Sequence, residues 1–146
     1  MGQARELMDR ATASILAGEL EALRDIYAED VVATTPDEGT LHGIDAYIEW
    51  NRQFIASFSD RSYESQRGFE TEDCAIDQGY FVATHTKDLA LPGGQSLPAS
   101  GKQIRIRAVD LATVRDGKIV QHDFYFDQLD MLTQLGMTQV GLAESL

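Results

Sequence analysis

The stretch Gln103–Asp127, QIRIRAVDLATVRDGKIVQHDFYFD, decides the fold class. Its first half alternates, with Ile104, Ile106 and Ala108 set against Arg105 and Arg107. That period of two is the mark of a half-buried strand. Asp116-Gly117 is a tight hairpin signal, and Lys118–Asp127 returns as a second long arm. Upstream, Tyr80–Thr86 is a further strand, and Tyr63, Phe69, Cys74 and Ile76 belong to extended segments. Asp77-Gln78-Gly79 is read as the turn between them. Leu91–Gly101 is a loop. Asp127 leads into a last helical turn over Leu129–Leu135, stopped by Gly136.

The first sixty residues have a different period. Ala4, Leu7, Met8, Ala11 and Ile15 recur at helical spacing over residues 3–17, and Gly18 ends that helix. Leu20, Leu23 and Tyr27 continue as a short second helix. Val31–Thr35 is a strand of β-branched residues, followed by a turn at Pro36-Asp37-Glu38-Gly39. Gly43 opens a third helix, with Ile44, Tyr47, Ile48, Phe54, Ile55 and Phe58 on one stripe and Trp50 and Asn51 off its centre. Three helices followed by a meander of long strands predict an α+β fold, with a short C-terminal helix. The strands must curl to cover the helices. The concave face so formed, against the third helix, is the expected ligand pocket.

The bulk properties narrow the function. Residues 1–146 fit one domain, and the 43% apolar content is ordinary for a globular chain. A formal net charge of −12 disfavours nucleic acid and anionic lipid as partners. Cys74 has no internal disulfide partner, and no Cys/His spacing suggests a metal site. The N-terminal residues carry no apolar leader, and no apolar run reaches the roughly 18–20 residues of a membrane span. A cytoplasmic protein that needs no cofactor is expected.

Several stretches resemble the SnoaL-like polyketide cyclases (ester cyclases) of the nuclear transport factor 2-like superfamily. They are Tyr27-Ala28-Glu29-Asp30-Val31-Val32; Gly43 with Phe58-Ser59-Asp60; and Thr84-His85-Thr86 with Pro98-Ala99-Ser100-Gly101-Lys102. Val109-Asp110-Leu111 with Arg115–His122, and Asp127–Gly136, are the most specific. The resemblance implies a cone-shaped domain, with three N-terminal helices on a strongly curved mixed or antiparallel sheet. It also implies that Asp127 is a general acid/base for intramolecular aldol-type cyclisation of a polyketide-like or other carbonyl-bearing molecule. Such a base needs an apolar neighbourhood, which Phe124, Tyr125 and Phe126 would supply. The competing role for Asp127 is a helix N-cap.

His85 in mid-strand is the second catalytic candidate, as a hydrogen-bond donor to a carbonyl. Trp50, Asn51, Phe54, Asp123, Tyr125 and Thr35 are candidate substrate contacts. Asp123 and Asp127 share a strand face with Tyr125 between them, unless a bulge turns Asp123 outwards. Asp123 stands where the family usually has tryptophan, a departure that bears on the pocket's shape. Asp110 is expected to be structural and to need a partner, a backbone N–H or Arg107. His42 and His122 are expected at the surface. A ketosteroid-type isomerase would want a base just before Pro36, where Thr35 stands. A dehydratase of the scytalone type would want more pocket histidines. The alternative from another class is a non-catalytic small-molecule-binding or dimerisation domain, a homodimer or homotetramer built on the sheet's outer face.

Overall fold

The computed structural model describes residues 2–91 and 94–137. Helix α1 spans Gln3–Ala17 and buries Ala4, Leu7, Met8 and Ala11. Gly18 ends it with a φ of 77°, and the Glu19 N–H closes on the Ser14 carbonyl, the six-to-one bond of a Schellman cap. The expected second helix is corrected to a 3₁₀ segment, Leu20–Asp25. Strand β1, Tyr27–Thr35, starts earlier than expected and leaves too few residues for an α-helical repeat. Strand β2 (Gly39–His42) and helix α2 (Ile44–Ala56) follow. Then come β3 (Phe58–Glu70), β4 (Cys74–His85), the short pair β5 (Leu89–Ala90) and β6 (Ser96–Leu97), β7 (Gln103–Arg115) and β8 (Lys118–Phe126). Helix α3, Gln128–Gln134, closes the described chain. Among the described residues no helix is long and apolar enough to cross a membrane.

Six strands form one curved mixed sheet in the order β2-β1-β8-β7-β4-β3. Only β1 and β8 run parallel. The helices cover the concave face. One core cluster joins α1, the 3₁₀ segment and α2 to β1, and a second gathers Phe58, Phe81, Ile104, Ile106, Phe126 and Met131. Arg5 on α1 ties the layers together. Its guanidinium donates to Asp77 Oδ1 at 2.7 Å and to the carbonyls of Phe69 and Ile76.

Two local readings are corrected. Asp77-Gln78-Gly79 is no turn, because it lies inside β4, and the reversal falls near residues 71–73. The glycine is there for packing: a Cβ on Gly79 would overlap the Glu64 carbonyl and stand 3.0 Å from Ser65 Cα.

The second correction concerns β8. Val114 pairs with Ile119, but Thr113 pairs with Gln121, so Val120 is an extra residue, a β-bulge. Residues directly opposite share a face of the sheet. Ala112, Asp110 and Ala108 therefore bring His122, Phe124 and Phe126 inwards with them. The bulge turns Asp123, Tyr125 and Asp127 away from the concave face.

Candidate active site

Between α1, α2 and the inner face of the sheet lies a cavity of about 70 Å³. Its apolar walls include Leu16, Trp50, Phe54, Phe81 and Phe124, and its polar groups include Tyr47, Asn51, Tyr63, Asp110 and His122. The three α2 residues expected to contact substrate, Trp50, Asn51 and Phe54, all line it. The indole N–H of Trp50 lies 3.1 Å from each Asp37 carboxylate oxygen, and Trp50 stacks on Phe54.

The polar end is one connected chain. Asp110 Oδ1 lies 2.6 Å from His122 Nε2, His122 Nδ1 lies 2.7 Å from the Tyr27 hydroxyl, and that hydroxyl lies 3.3 Å from the Tyr47 hydroxyl. Burial raises the pKa of both tyrosines, with the nearby Asp110 charge adding to the effect, so both hydroxyls keep their protons. With His122 neutral, one proton arrangement runs along the whole chain. Tyr47 donates to Tyr27, Tyr27 donates to His122 Nδ1, and His122 Nε2–H donates to Asp110.

Both imidazole nitrogens are thus committed. Asp110 Oδ2 is not: among the described residues it has no hydrogen-bond partner, and the side chain keeps 17% exposure. Asp110 thus lines the cavity with one carboxylate oxygen held by His122 and the other without a partner. Tyr63 is turned elsewhere, donating to the Ala108 carbonyl at 3.0 Å. Asn51 uses one N–H on the Tyr47 carbonyl at 2.9 Å.

The remaining sequence candidates sit outside this cavity. Asp127 is an exposed N-cap of α3, its Oδ1 accepting from the Asp130 N–H at 3.0 Å. The expectation of an apolar pocket around it is corrected, since the bulge at Val120 turns its side chain out. Asp123 accepts from the Thr34 hydroxyl at 2.7 Å, and Tyr125 is 58% exposed. Thr35 is buried, but its hydroxyl accepts from the Glu38 N–H and closes the turn after β1. Conversely, His122 is buried, and Asp110 has found a partner other than Arg107.

His85 is fully buried at the far end of β4, where it clamps the segment before β7. Its Nδ1 accepts from the Ser100 N–H at 3.2 Å, which puts the ring proton on Nε2. That Nε2 is buried without a partner. Burial pulls the His85 pKa below its ordinary 6.5. The unfolded chain therefore takes up this proton first as the pH falls, and stability drops once the pH passes below about 6.5. Below that pH the thermal midpoint of the wild type is expected to fall more steeply than that of His85→Gln. Parallel slopes in scanning calorimetry would show that His85 does not titrate in this way.

The SnoaL-like polyketide cyclase family model matches residues 5–135. Among curated proteins none matches. A protein of Jannaschia sp. CCS1, proposed as a SnoaL-like polyketide cyclase, superposes with a TM-score of 0.81 at 18% identity, over 94% of each chain. IdmH of Streptomyces antibioticus, proposed as a polyketide cyclase, gives 0.77 at 25% identity, over 92% of this chain and 99% of its own. AclR of Streptomyces galilaeus, proposed as a hydroxylase, gives 0.76 at 19% identity, over 91% and 95%. The fold is that of the nuclear transport factor 2-like proteins. With a family model matched from Arg5 to Leu135, this chain belongs to the SnoaL-like polyketide cyclase family.

Proposed function

We propose that the protein catalyses an intramolecular aldol-type cyclisation without a cofactor, with Asp110 as the general acid/base. The observation that carries this is the Asp110–His122 pair, set at the wall of an apolar cavity with one carboxylate oxygen free. Asp110 Oδ2 takes a C–H proton from a carbon between two carbonyls. The electron pair left behind becomes an enolate, and the second N–H of Asn51 is placed to hold its oxygen. The enolate carbon then bonds to an aldehyde carbon, and the aldehyde oxygen takes the proton back from Asp110. No atom is left over.

Asp127 and His85 drop out of this scheme because neither reaches the cavity. Trp50, Asn51 and Phe54 remain as substrate contacts. The test does not need the natural substrate. In D₂O the protein should speed exchange of the α-protons of a simple aromatic 1,3-dicarbonyl compound, followed by NMR. Exchange at the buffer rate alone would sink the general-base reading.

A second copy of this chain is the partner we propose for the sheet's outer face. Tyr125, 58% exposed, lies there beside the partly exposed Val109 and Leu111. Sedimentation equilibrium should give a dimer mass that falls towards the monomer in Tyr125→Glu. A monomeric wild type would refute the assembly.

A further inference from the structure

A cavity of about 70 Å³ holds a few heavy atoms, whereas pockets for drug-sized ligands measure roughly 300–1,000 Å³. A cyclisation substrate needs more room than this volume offers, so some wall must move. Two walls are thin. One faces a groove beside α1 that shares Thr12, Leu16 and Tyr63 with the cavity. The other faces a cleft of about 110 Å³ that shares Trp50 and Phe54, and whose outer lining is Asp37, Glu38, Gln53, Leu89 and Leu91.

The α1 wall is pinned by groups that are costly to shift. Tyr63 is bonded to the β7 backbone, and the Arg5–Asp77 ion pair spans α1 and β4 with both side chains 12% exposed. Trp50 is held differently. Its polar hold is Asp37, on the Pro36–Glu38 turn between β1 and β2, and that carboxylate forms no ion pair among the described residues. The rest of its contact is ring against ring, on Phe54 at 5.3 Å and edge-on to Phe124 at 6.1 Å. Rings slide over one another without leaving a polar group unsatisfied.

We propose that the Trp50 ring is a gate between the interior cavity and the outer cleft, latched by Asp37, and that substrate reaches Asp110 through it. With the ring swung aside, Phe54 and Phe124 line one continuous channel ending under Leu89 and Leu91. Such a channel takes a flat, uncharged, apolar body. Asp37 and Glu38 at its rim, on a chain of net charge −12, turn away ligands with an anionic tail and favour a neutral or hydrogen-bond-donating end. Trp50 is thereby a specificity-determining residue and Asp37 a positioning residue. The gate rests on the reading of the interior cavity as the substrate site.

Trp50 is the sole tryptophan, so its fluorescence reports the latch directly. Asp37→Ala should make Trp50 emission at least twofold more quenchable by acrylamide, and Asp37→Asn, which keeps an acceptor, should stay near wild type. Stopped-flow binding of uncharged N-phenyl-1-naphthylamine gives the second readout. Asp37→Ala should raise both its association and dissociation rates threefold or more, and Ala13→Phe, which obstructs the α1 groove, should leave them within twofold. The gate is overturned if Ala13→Phe slows the probe while Asp37→Ala leaves its rates unchanged, for access then runs past α1. A probe that binds without moving the His122 ring resonances lies outside the cavity, and that result overturns the cavity reading and the gate with it.

Discussion

Asp110→Asn is expected to slow α-proton exchange of a 1,3-dicarbonyl compound by about 10²- to 10⁴-fold, the range that a positioned acid/base supplies. The substitution is nearly isosteric. His122 Nε2–H can still donate to the carboxamide oxygen, so the chain through Tyr27 and Tyr47 keeps its direction. What is lost is the charge and the basic lone pair on the second oxygen. A fall in rate with an unchanged thermal midpoint would therefore locate the effect in proton transfer. Asp127→Asn is the matched control. Asparagine caps helices as well as aspartate does, and the site is exposed, so rate and stability should both stay within about twofold and 0.5 kcal/mol. If the two variants exchange these outcomes, Asp127 is the base and Asp110 merely holds His122.

The contrast between these two aspartates shows what sequence reading could reach. The α+β class, the first helix with its glycine cap, α2 with its cavity-lining Trp50, Asn51 and Phe54, and the long alternation of β7 were all legible, because each rests on a periodicity or a cap within one segment. The pairing that marks Asp110 as the candidate base was not legible, because the place of His122 depends on which way β8 faces. A single residue, Val120, shifts every later side chain to the other face. The signal was nevertheless present. After the bulge, the set His122, Phe124 and Phe126 is apolar and aromatic, while Asp123, Tyr125 and Asp127 is the polar set, so burial alone favours the parity that is found. Strict counting from Asp116-Gly117 gives the opposite parity. The Tyr27 and Tyr47 hydroxyls were missed for another reason. They meet at His122 from β1 and α2, and no local pattern announces a contact between residues 95 positions apart.

Gly79→Ala is expected to be the most damaging single-methyl change in the protein, costing about 3–5 kcal/mol or preventing folding. Ordinarily the change would help, since alanine in a strand loses less backbone entropy than glycine by roughly 0.5–1 kcal/mol. Here the sign reverses. The new Cβ would lie 2.9 Å from the Glu64 carbonyl carbon and 3.0 Å from Ser65 Cα, and these are main-chain atoms of β3 rather than the tip of a flexible side chain. Relief requires β3 to lift from β4 where its register already shifts, between Ser65 and Arg67. Tyr63 and Asp77 flank that point on the same face, so the lift would also loosen the cavity wall and the Arg5 anchor. Gly68→Ala supplies the comparison. Its Cβ would meet only Arg5 Nη2 and Asp77 Oδ1, each at 3.3 Å, at the ends of side chains that can yield by a few tenths of an ångström. Urea titration should place Gly68→Ala within about 1 kcal/mol of wild type and Gly79→Ala far below it. Equal midpoints for the two would mean that β3 does not press on Gly79. That closeness is what keeps β3 and β4 joined through the register shift, and with them the wall of the cavity where Asp110 stands.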